Sequence, residues 1–513
     1  MFKILITSSI ALSLIACSTV PFKKVKLRKE DMIQKMPGVK STDSQDRGLG
    51  LVPAHYKELK YPDFTYVAPY PSDYRIELDS NTVVYLYPSP SLPLIKMDIT
   101  FEESNISANE AEFPIYSTLG SMYKRGGTES FAPDVLEDTL EFQSTYLSVS
   151  LNERTSRLSV NSLKNNFPQA LDILKDLVLK PKFDSKRLSV YKQQVIQALE
   201  HKYDKPSSIS SDLYSHVMFG THPSNWGLRV NEVKKLTPKK LSQFAKANFQ
   251  GKKLYIGISG DFQKEEMILQ IKKFLAELKP RTTTPEHLYP PTINNQAGIY
   301  IIDFPSKQTQ IRMGQAFLQR PHPDYYPAAV ASYILGAGGF TSRLVASIRT
   351  EHGLAYSVGS FTSSNYRRPS TSGIRLQTKV TSTTQAIELA FEEIKKLTIE
   401  GPTDQEVERA IEGMIASIPS LFDTPESTID AFIYSEMRGR KASHYKDYPL
   451  ALRKVTKARI QEVLKKYFTP EKMLITLVGP LAELNDPKVQ IGAPLDSLGS
   501  VKVLTIQDLD KRK

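Results

Sequence analysis

The chain has 513 residues, of which 40% are hydrophobic and 24% are charged, and its formal net charge is +12 at pH 7. This composition is that of a globular protein and excludes wholesale disorder. The length exceeds what one hydrophobic core usually holds, so we expect more than one domain. The basic residues are scattered and form neither a zinc-finger spacing nor an RNA-binding motif, so nucleic acid is not an expected partner.

The N-terminus has the pattern of an export signal. A short basic start is followed by an apolar run from Ile4 to Leu14 and then by Leu14-Ile15-Ala16-Cys17. The run has signal-peptide length and is too short to span a bilayer. It resembles a bacterial lipobox, which implies a lipid anchor on Cys17 and, with Ser18 next, a periplasm-facing lipoprotein of the outer membrane. An ordinary signal peptide with a chance cysteine is the alternative.

A polar, basic stretch after Cys17 predicts a tether, and a regular fold follows it. Thr82–Tyr87 and Ile95–Phe101 are rich in β-branched and aromatic residues, which indicates strands. Ala170–Leu179 has helical periodicity. The Pro-rich segment Pro280–Pro291 predicts a linker between two domains.

An internal repeat supports two related halves. Thr237 opens a helix that leads to a strand ending near Gly260, and Thr456 opens a helix that leads to a strand ending near Gly479. The two spans have equal length. The predicted boundaries are a signal peptide at 1–16, a lipid-anchored tether at 17–72, an N-terminal domain at 73–279, a linker at 280–296, a C-terminal domain at 297–505 and a tail at 506–513.

The segment that follows Gly338 carries the most specific pattern. Phe340–Glu351 predicts one short helix, with Thr341 and Ser342 as possible N-caps and Gly353 as its stop. Leu354–Phe361 predicts the next strand. Arg349 falls near the end of the helix and Tyr356 in the strand.

The block Gly338–Val358, GGFTSRLVASIRTEHGLAYSV, resembles the second domain of insulinase/pitrilysin-type peptidases, a family that includes the mitochondrial processing peptidase. Tyr255–Asp261 and Leu474–Pro480 resemble the strands that close each domain of that family. The resemblance covers about residues 75–480. It implies an α+β protein with two homologous α/β-roll domains, each a mostly antiparallel sheet covered by helices.

In that family an Arg and a Tyr seven residues apart face the zinc site across the catalytic chamber. Arg349 and Tyr356 match both the residue types and the spacing. The resemblance implies that the phenol stabilises an oxyanion and that the guanidinium holds a carbonyl or carboxylate of the substrate. The alternative is a structural pair, with Arg349 at a helix C-terminus and Tyr356 half-buried in a strand.

The zinc motif of the family, His-x-x-Glu-His with a distal Glu, is missing. The matching segment Glu112–Thr128 contains no His, and the distal helix Lys186–Leu199 contains no Glu, Asp or His. We therefore expect no cofactor on this chain and a zinc ion on a partner subunit.

The resulting hypothesis is a non-zinc subunit of a heteromeric zinc endopeptidase. This chain would supply Arg349 and Tyr356, a homologous zinc-bearing subunit would be its partner, and peptides would be the substrates. A non-enzymatic envelope scaffold with the same fold is the alternative, and a self-sufficient peptidase is the third possibility.

Overall fold

The computed structural model describes residues 66–510, except 103–109, 152–154, 246–249, 252, 279–280, 283–292, 294–295 and 367. The predicted signal peptide, Cys17, most of the tether and most of the linker lie outside the described residues. Val67–Lys513 forms one compact unit. No helix in the described part of the chain is long and apolar enough to cross a membrane.

The strands belong to two large sheets and one short pair, β6 with β8. Their bounds are β1 Arg75–Asp79, β2 Thr82–Pro88, β3 Leu94–Glu102, β4 Tyr146–Leu151, β5 Thr155–Leu163, β6 Gln250–Gly251, β7 Lys253–Gly260, β8 Arg281–Thr282, β9 Gly298–Asp303, β10 Gln308–Ala316, β11 Val358–Ser363, β12 Thr371–Lys379, β13 Leu474–Gly479 and β14 Val501–Leu504.

Helices occupy most of the chain between the strands. Their bounds are α1 Phe113–Arg125, α2 Pro133–Phe142, α3 Phe167–Leu179, α4 Ser185–Glu200, α5 Pro206–Phe219, α6 Val230–Lys234, α7 Pro238–Ala245, α8 Lys264–Leu278, α9 Tyr325–Ser332, α10 Thr383–Ile399, α11 Asp404–Ala416, α12 Pro425–Met437, α13 His444–Arg453, α14 Lys457–Tyr467, α15 Leu481–Leu484 and α16 Ile506–Asp510, with π-helical turns at Tyr333–Ala337 and Val345–Glu351.

The two large sheets have the same topology in five of their six strands. The first has the order β1-β2-β7-β3-β5-β4, and the second has the order β14-β9-β13-β10-β12-β11. In each, the second strand is parallel to the third, and the next three pairings are antiparallel. Only the outermost strand differs, because β1 is antiparallel to β2 whereas β14 is parallel to β9. The predicted fold class, two sheets of mostly antiparallel strands covered by helices, is confirmed.

The repeat is also visible in the helix that precedes the third strand of each sheet. The Thr237 hydroxyl accepts a hydrogen bond from the Lys240 amide at 3.3 Å, and the Thr456 hydroxyl accepts one from the Arg459 amide at 3.3 Å. These caps fix the starts of α7 and α14. The strands that follow, β7 and β13, both end in glycine as the sequence predicts.

Both faces of strand β2 in the first sheet are buried. Along β2, Val84 and Leu86 point into the core formed with the helices of the first half, whereas Val83 and Tyr85 pack on the opposite face. This alternation follows from the two-residue period of a strand. A strand that is apolar on both faces has to be covered from both sides.

The cover on the second face comes from the other half of the chain. Helix α12, which belongs to the second half, places Ile429, Phe432 and Ile433 against β2 and β7. Helix α5, which belongs to the first half, places Ile209 and Leu213 against the second sheet. This reciprocal exchange holds the two halves together through apolar contacts.

One ionic cluster fixes α12 on the first sheet. Glu436 accepts two hydrogen bonds from the Arg75 guanidinium, both at 3.0 Å, one from the Tyr85 hydroxyl at 2.6 Å and one from the Lys253 ammonium at 3.2 Å. Burial opposes ionisation of Glu436, but the bonds from Arg75 and Tyr85 lower the pKa of its carboxyl. The cluster therefore keeps a charged carboxylate between the two halves.

Candidate functional site

The region that the sequence singled out forms a corner of helix, turn and edge strand. After α9, the turn at Tyr333–Ala337 brings its backbone close to β11, and a Cβ on Gly336 would lie 2.3 Å from the Ser360 amide nitrogen. Only glycine permits this approach. The chain then turns at Gly338 and at Gly339, which has φ of +69°.

The predicted helix at Phe340–Glu351 is present but starts later. Ser342 has extended backbone, and its hydroxyl donates to the Gly339 carbonyl at 2.6 Å, so it does not cap the helix with its side chain. Gly339–Thr341 form a short 3-10 turn. Gly353 ends the helix as predicted, with φ of +63°.

The predicted strand at Leu354–Phe361 is wrong at its first residues, because β11 begins only at Val358. The Leu354 amide donates to the Ile348 carbonyl at 2.9 Å, and the Leu354 carbonyl accepts from the Thr378 hydroxyl at 2.8 Å. The Leu354 amide thus closes the helix, and its carbonyl is held by a side chain of β12. Leu354 to Ser357 form a bend that leaves the sheet.

This bend places Tyr356 on the surface beside Arg349. The guanidinium carbon of Arg349 lies 4.6 Å from the centroid of the Tyr356 ring and 4.8 Å from that of the Phe340 ring. Tyr356 is 85% exposed and Phe340 is 73% exposed. Tyr356 is therefore not the half-buried strand residue of the structural alternative. The sequence did not single out Phe340.

We call Phe340, Arg349 and Tyr356 the aromatic–arginine stack. Each cation–π contact of this kind stabilises by about 0.5–1 kcal/mol at an exposed site. In the described part of the chain, Arg349 forms no ion pair and the Tyr356 hydroxyl forms no hydrogen bond. The guanidinium and the phenol are thus oriented by the stack and can donate to oxygen atoms of a bound molecule.

The equivalent corner of the first half lies where α1 meets α4 and β4. It contains a cleft of about 530 Å³ whose walls include Lys124, Arg125 and Arg187. Arg125 donates to the Gln194 amide oxygen at 3.3 Å and lies 5.8 Å from the centroid of the Tyr191 ring. Helices α1 and α4 hold the two segments to which the resemblance assigns the zinc motif, and the structure brings them together.

The side chains of this cleft do not fit a zinc ion. Zinc takes thiolate, imidazole and carboxylate ligands, whereas the lining carboxylate Glu137 already pairs with Arg187 at 2.9 Å, and Lys124 and Arg125 are cations that repel a metal ion. Among the residues that the structure describes, no group of three or more His, Cys, Asp and Glu could hold a metal ion.

Comparisons with known proteins show which proteins the chain is similar to. Residues 235–414, which include Arg349 and Tyr356, match the family model described as the peptidase M16 inactive domain. The non-peptidase homolog YmxG of Helicobacter pylori is 27% identical over 317 residues, which are 59% of this chain and 70% of that protein. A probable beta subunit of the mitochondrial-processing peptidase of Arabidopsis thaliana is 21% identical over 264 residues, 47% of this chain and 49% of that protein.

A solved structure shares the fold over most of its length. The peptidase M16 inactive domain from Pseudomonas fluorescens superposes with a TM-score of 0.69 at 20% identity, and the match covers 79% of this chain and 97% of that one. Residues 235–414 are thus similar to the inactive domain of M16 (insulinase-type) peptidases, and the chain is similar in sequence and in fold to members of that family.

Proposed function

We propose that this chain is the non-zinc subunit of a heteromeric M16 peptidase and supplies Arg349 and Tyr356 to the active site of a zinc-bearing homologous subunit. The observation that carries the proposal is the aromatic–arginine stack. Its guanidinium and phenol lie side by side on the surface of the second half. The equivalent corner of the first half has cationic side chains that do not suit zinc.

The two side chains would act on the oxygen atoms of a peptide. The zinc-bearing subunit would supply the activated water. The Tyr356 hydroxyl donates one hydrogen bond, which stabilises an oxyanion more than the carbonyl from which it forms. The Arg349 guanidinium can donate two parallel hydrogen bonds to a carbonyl or carboxylate and so positions the substrate.

The test is peptide turnover by the reconstituted pair, measured at matched complex concentration. Tyr356→Phe removes only an exposed hydroxyl, so the amount of complex should not change. We expect kcat to fall about 10²–10³-fold, the usual effect of losing one oxyanion donor. Tyr70→Phe is the matched control, because it removes one hydroxyl from another tyrosine on the surface.

Turnover at the unmodified rate by Tyr356→Phe would contradict the catalytic role. The non-enzymatic envelope scaffold would then be the better interpretation. The Helicobacter pylori relative is named a non-peptidase homolog, and this similarity favours the second candidate.

We also propose that the protein is a periplasm-facing lipoprotein, held by a lipid on Cys17 and favouring the outer membrane. The support is the lipobox-like sequence Leu14-Ile15-Ala16-Cys17, with Ser18 after it. Several acyl chains on one residue would make the attachment effectively permanent, at ~0.8 kcal/mol for each buried methylene.

A further inference from the structure

A second polar pocket, of about 470 Å³, lies at the C-terminal end of β11. It is assembled from segments that are far apart in the sequence. We call it the arginine pocket. Among the described residues that line it, three carry a guanidinium group and one carries a carboxylate. Its lining residues include Glu102, Arg320, Thr362, Ser363, Arg368 and Arg438.

Aromatic side chains and a backbone carbonyl orient Arg320 in the arginine pocket and Arg440 beside it. The guanidinium of Arg320 lies 3.9 Å from the centroid of the Tyr325 ring, and its Nε donates to the Ser364 carbonyl at 2.9 Å. Arg440, directly behind the wall, donates from Nε to the Tyr366 hydroxyl at 3.0 Å. Rings and carbonyls orient a guanidinium without neutralising its charge.

The titratable groups beside the arginine pocket report a positive potential. Burial alone would raise the pKa of Tyr366, yet Arg440 and Arg320 lower it. Burial, together with Arg440 and Arg320, lowers the pKa of His444 to about 4. The lowered pKa of Tyr366 runs against burial, and a potential that favours a phenolate also favours a bound anion.

The arginine pocket is connected to the aromatic–arginine stack by one strand. Strand β11 starts two residues after Tyr356 and ends at Thr362 and Ser363, which line the pocket. It is the edge strand of its sheet, so no other strand among the described residues pairs with its side away from β12, and the turn at Gly336 lies against it at Ser360. Its six residues span roughly 17 Å, which is also the reach of about six extended peptide residues.

We infer that the arginine pocket binds the C-terminal carboxylate of a peptide that lies along the free edge of β11 and parallel to it. That the ligand is a peptide rests on the proposed function, whereas the binding of its carboxylate rests on the positive charge of the pocket. Guanidinium groups pair with carboxylates through two parallel hydrogen bonds, and an exposed sheet edge takes up an extended peptide through its backbone. The other end of such a peptide reaches Tyr356.

The test compares two fluorescein-labelled Thr-Val repeat peptides of about ten residues, one with a free C-terminal carboxylate and one with a C-terminal amide. Binding to the purified full-length chain is measured by fluorescence anisotropy. We expect the free acid to bind roughly ten- to a hundredfold more tightly, as hydrogen bonds to a charged group imply. Arg438→Gln should abolish this preference, and Arg368→Gln in the same pocket provides a second variant.

Arg453→Gln is the matched control, because Arg453 is an exposed arginine outside the pocket that pairs with Glu412 at 3.2 Å. It should keep the preference for the free acid. Equal affinity for acid and amide in the unmodified chain would overturn the inference. So would tight binding of inorganic phosphate that is lost in Arg438→Gln while the two peptides bind alike.

The assay needs no zinc-bearing subunit, so the two proposals can fail separately. If the chain does not prefer the free acid but Tyr356→Phe lowers turnover as expected, only the proposal for the arginine pocket is contradicted. If the chain prefers the free acid but Tyr356→Phe leaves turnover unchanged, only the catalytic role of Tyr356 is contradicted.

Discussion

Asp324 is the carboxylate that we expect to dominate the acid sensitivity of the second half. It is 4% exposed and lies immediately before α9, the helix that leads into the site. It accepts hydrogen bonds from Arg459 at 2.6 Å, Lys466 at 2.9 Å and the Tyr467 hydroxyl at 2.8 Å, all from α14. Asp324→Asn removes the charge and nearly keeps the shape.

The magnitude follows from the pKa of Asp324. Burial acts to raise it, but the bonds from Lys466, Tyr467 and Arg459 prevail and lower it from 3.8 to about 2. A depression of this size corresponds to about 2 kcal/mol. Because the folded-state pKa lies below the unfolded one, the stabilisation is fully present above about pH 4 and is lost as the pH falls towards 2.

Urea unfolding of the full-length chain, followed by circular dichroism, measures this effect. At pH 7 we expect Asp324→Asn to lower the unfolding free energy by about 2 kcal/mol, and the difference should shrink as the pH falls from 4 to 2. Asp404→Asn is the control, since Asp404 pairs with Lys457 on the surface and should matter little. A difference between Asp324→Asn and the unmodified chain that stayed constant from pH 7 to pH 2 would refute the reasoning.

Three further predictions concern the contact between the halves, the anchor and the metal. Glu436→Gln should cost about 2–3 kcal/mol in urea unfolding because Arg75 and Tyr85 lose a charged partner, whereas Glu412→Gln on the surface should have little effect. Cys17→Ser should release the protein from membranes and end incorporation of labelled fatty acid; unchanged membrane fractionation would count against the anchor. Elemental analysis should find no zinc in the cleft of α1, and one tightly held zinc per chain that changes in α1 remove would contradict this.

The repeat and the sheets could be predicted because their signals are local. Thr237 and Thr456 are helix caps that precede apolar strands, and both the cap and the strand pattern are visible within a short window of sequence. The structure places the Arg349 guanidinium 4.6 Å from the centroid of the Tyr356 ring. Their roles stay predictions until turnover is measured.

The missed features depend on contacts between distant segments. The run at Leu354–Ser357 has the composition of a strand, yet its first residue bonds to the Ile348 carbonyl and the Thr378 hydroxyl, and pairing with β12 begins only at Val358. No pattern within the run itself reveals those partners. The exchange of α5 and α12 and the assembly of the arginine pocket are likewise tertiary, because each joins residues that are more than a hundred positions apart.

The repeat gives the chain two equivalent corners with different chemistry. In each corner a glycine lets a helical turn approach an edge strand, Gly120 at β4 and Gly336 at β11. The first corner carries Lys124, Arg125 and Arg187, cations that repel a metal ion but attract oxygen atoms, and the lining carboxylate Glu137 pairs with Arg187. The second adds a phenol beside a guanidinium. Under the proposed function, this chain would hold and polarise peptide oxygens while a partner activates water, so we expect turnover only with a zinc-bearing partner.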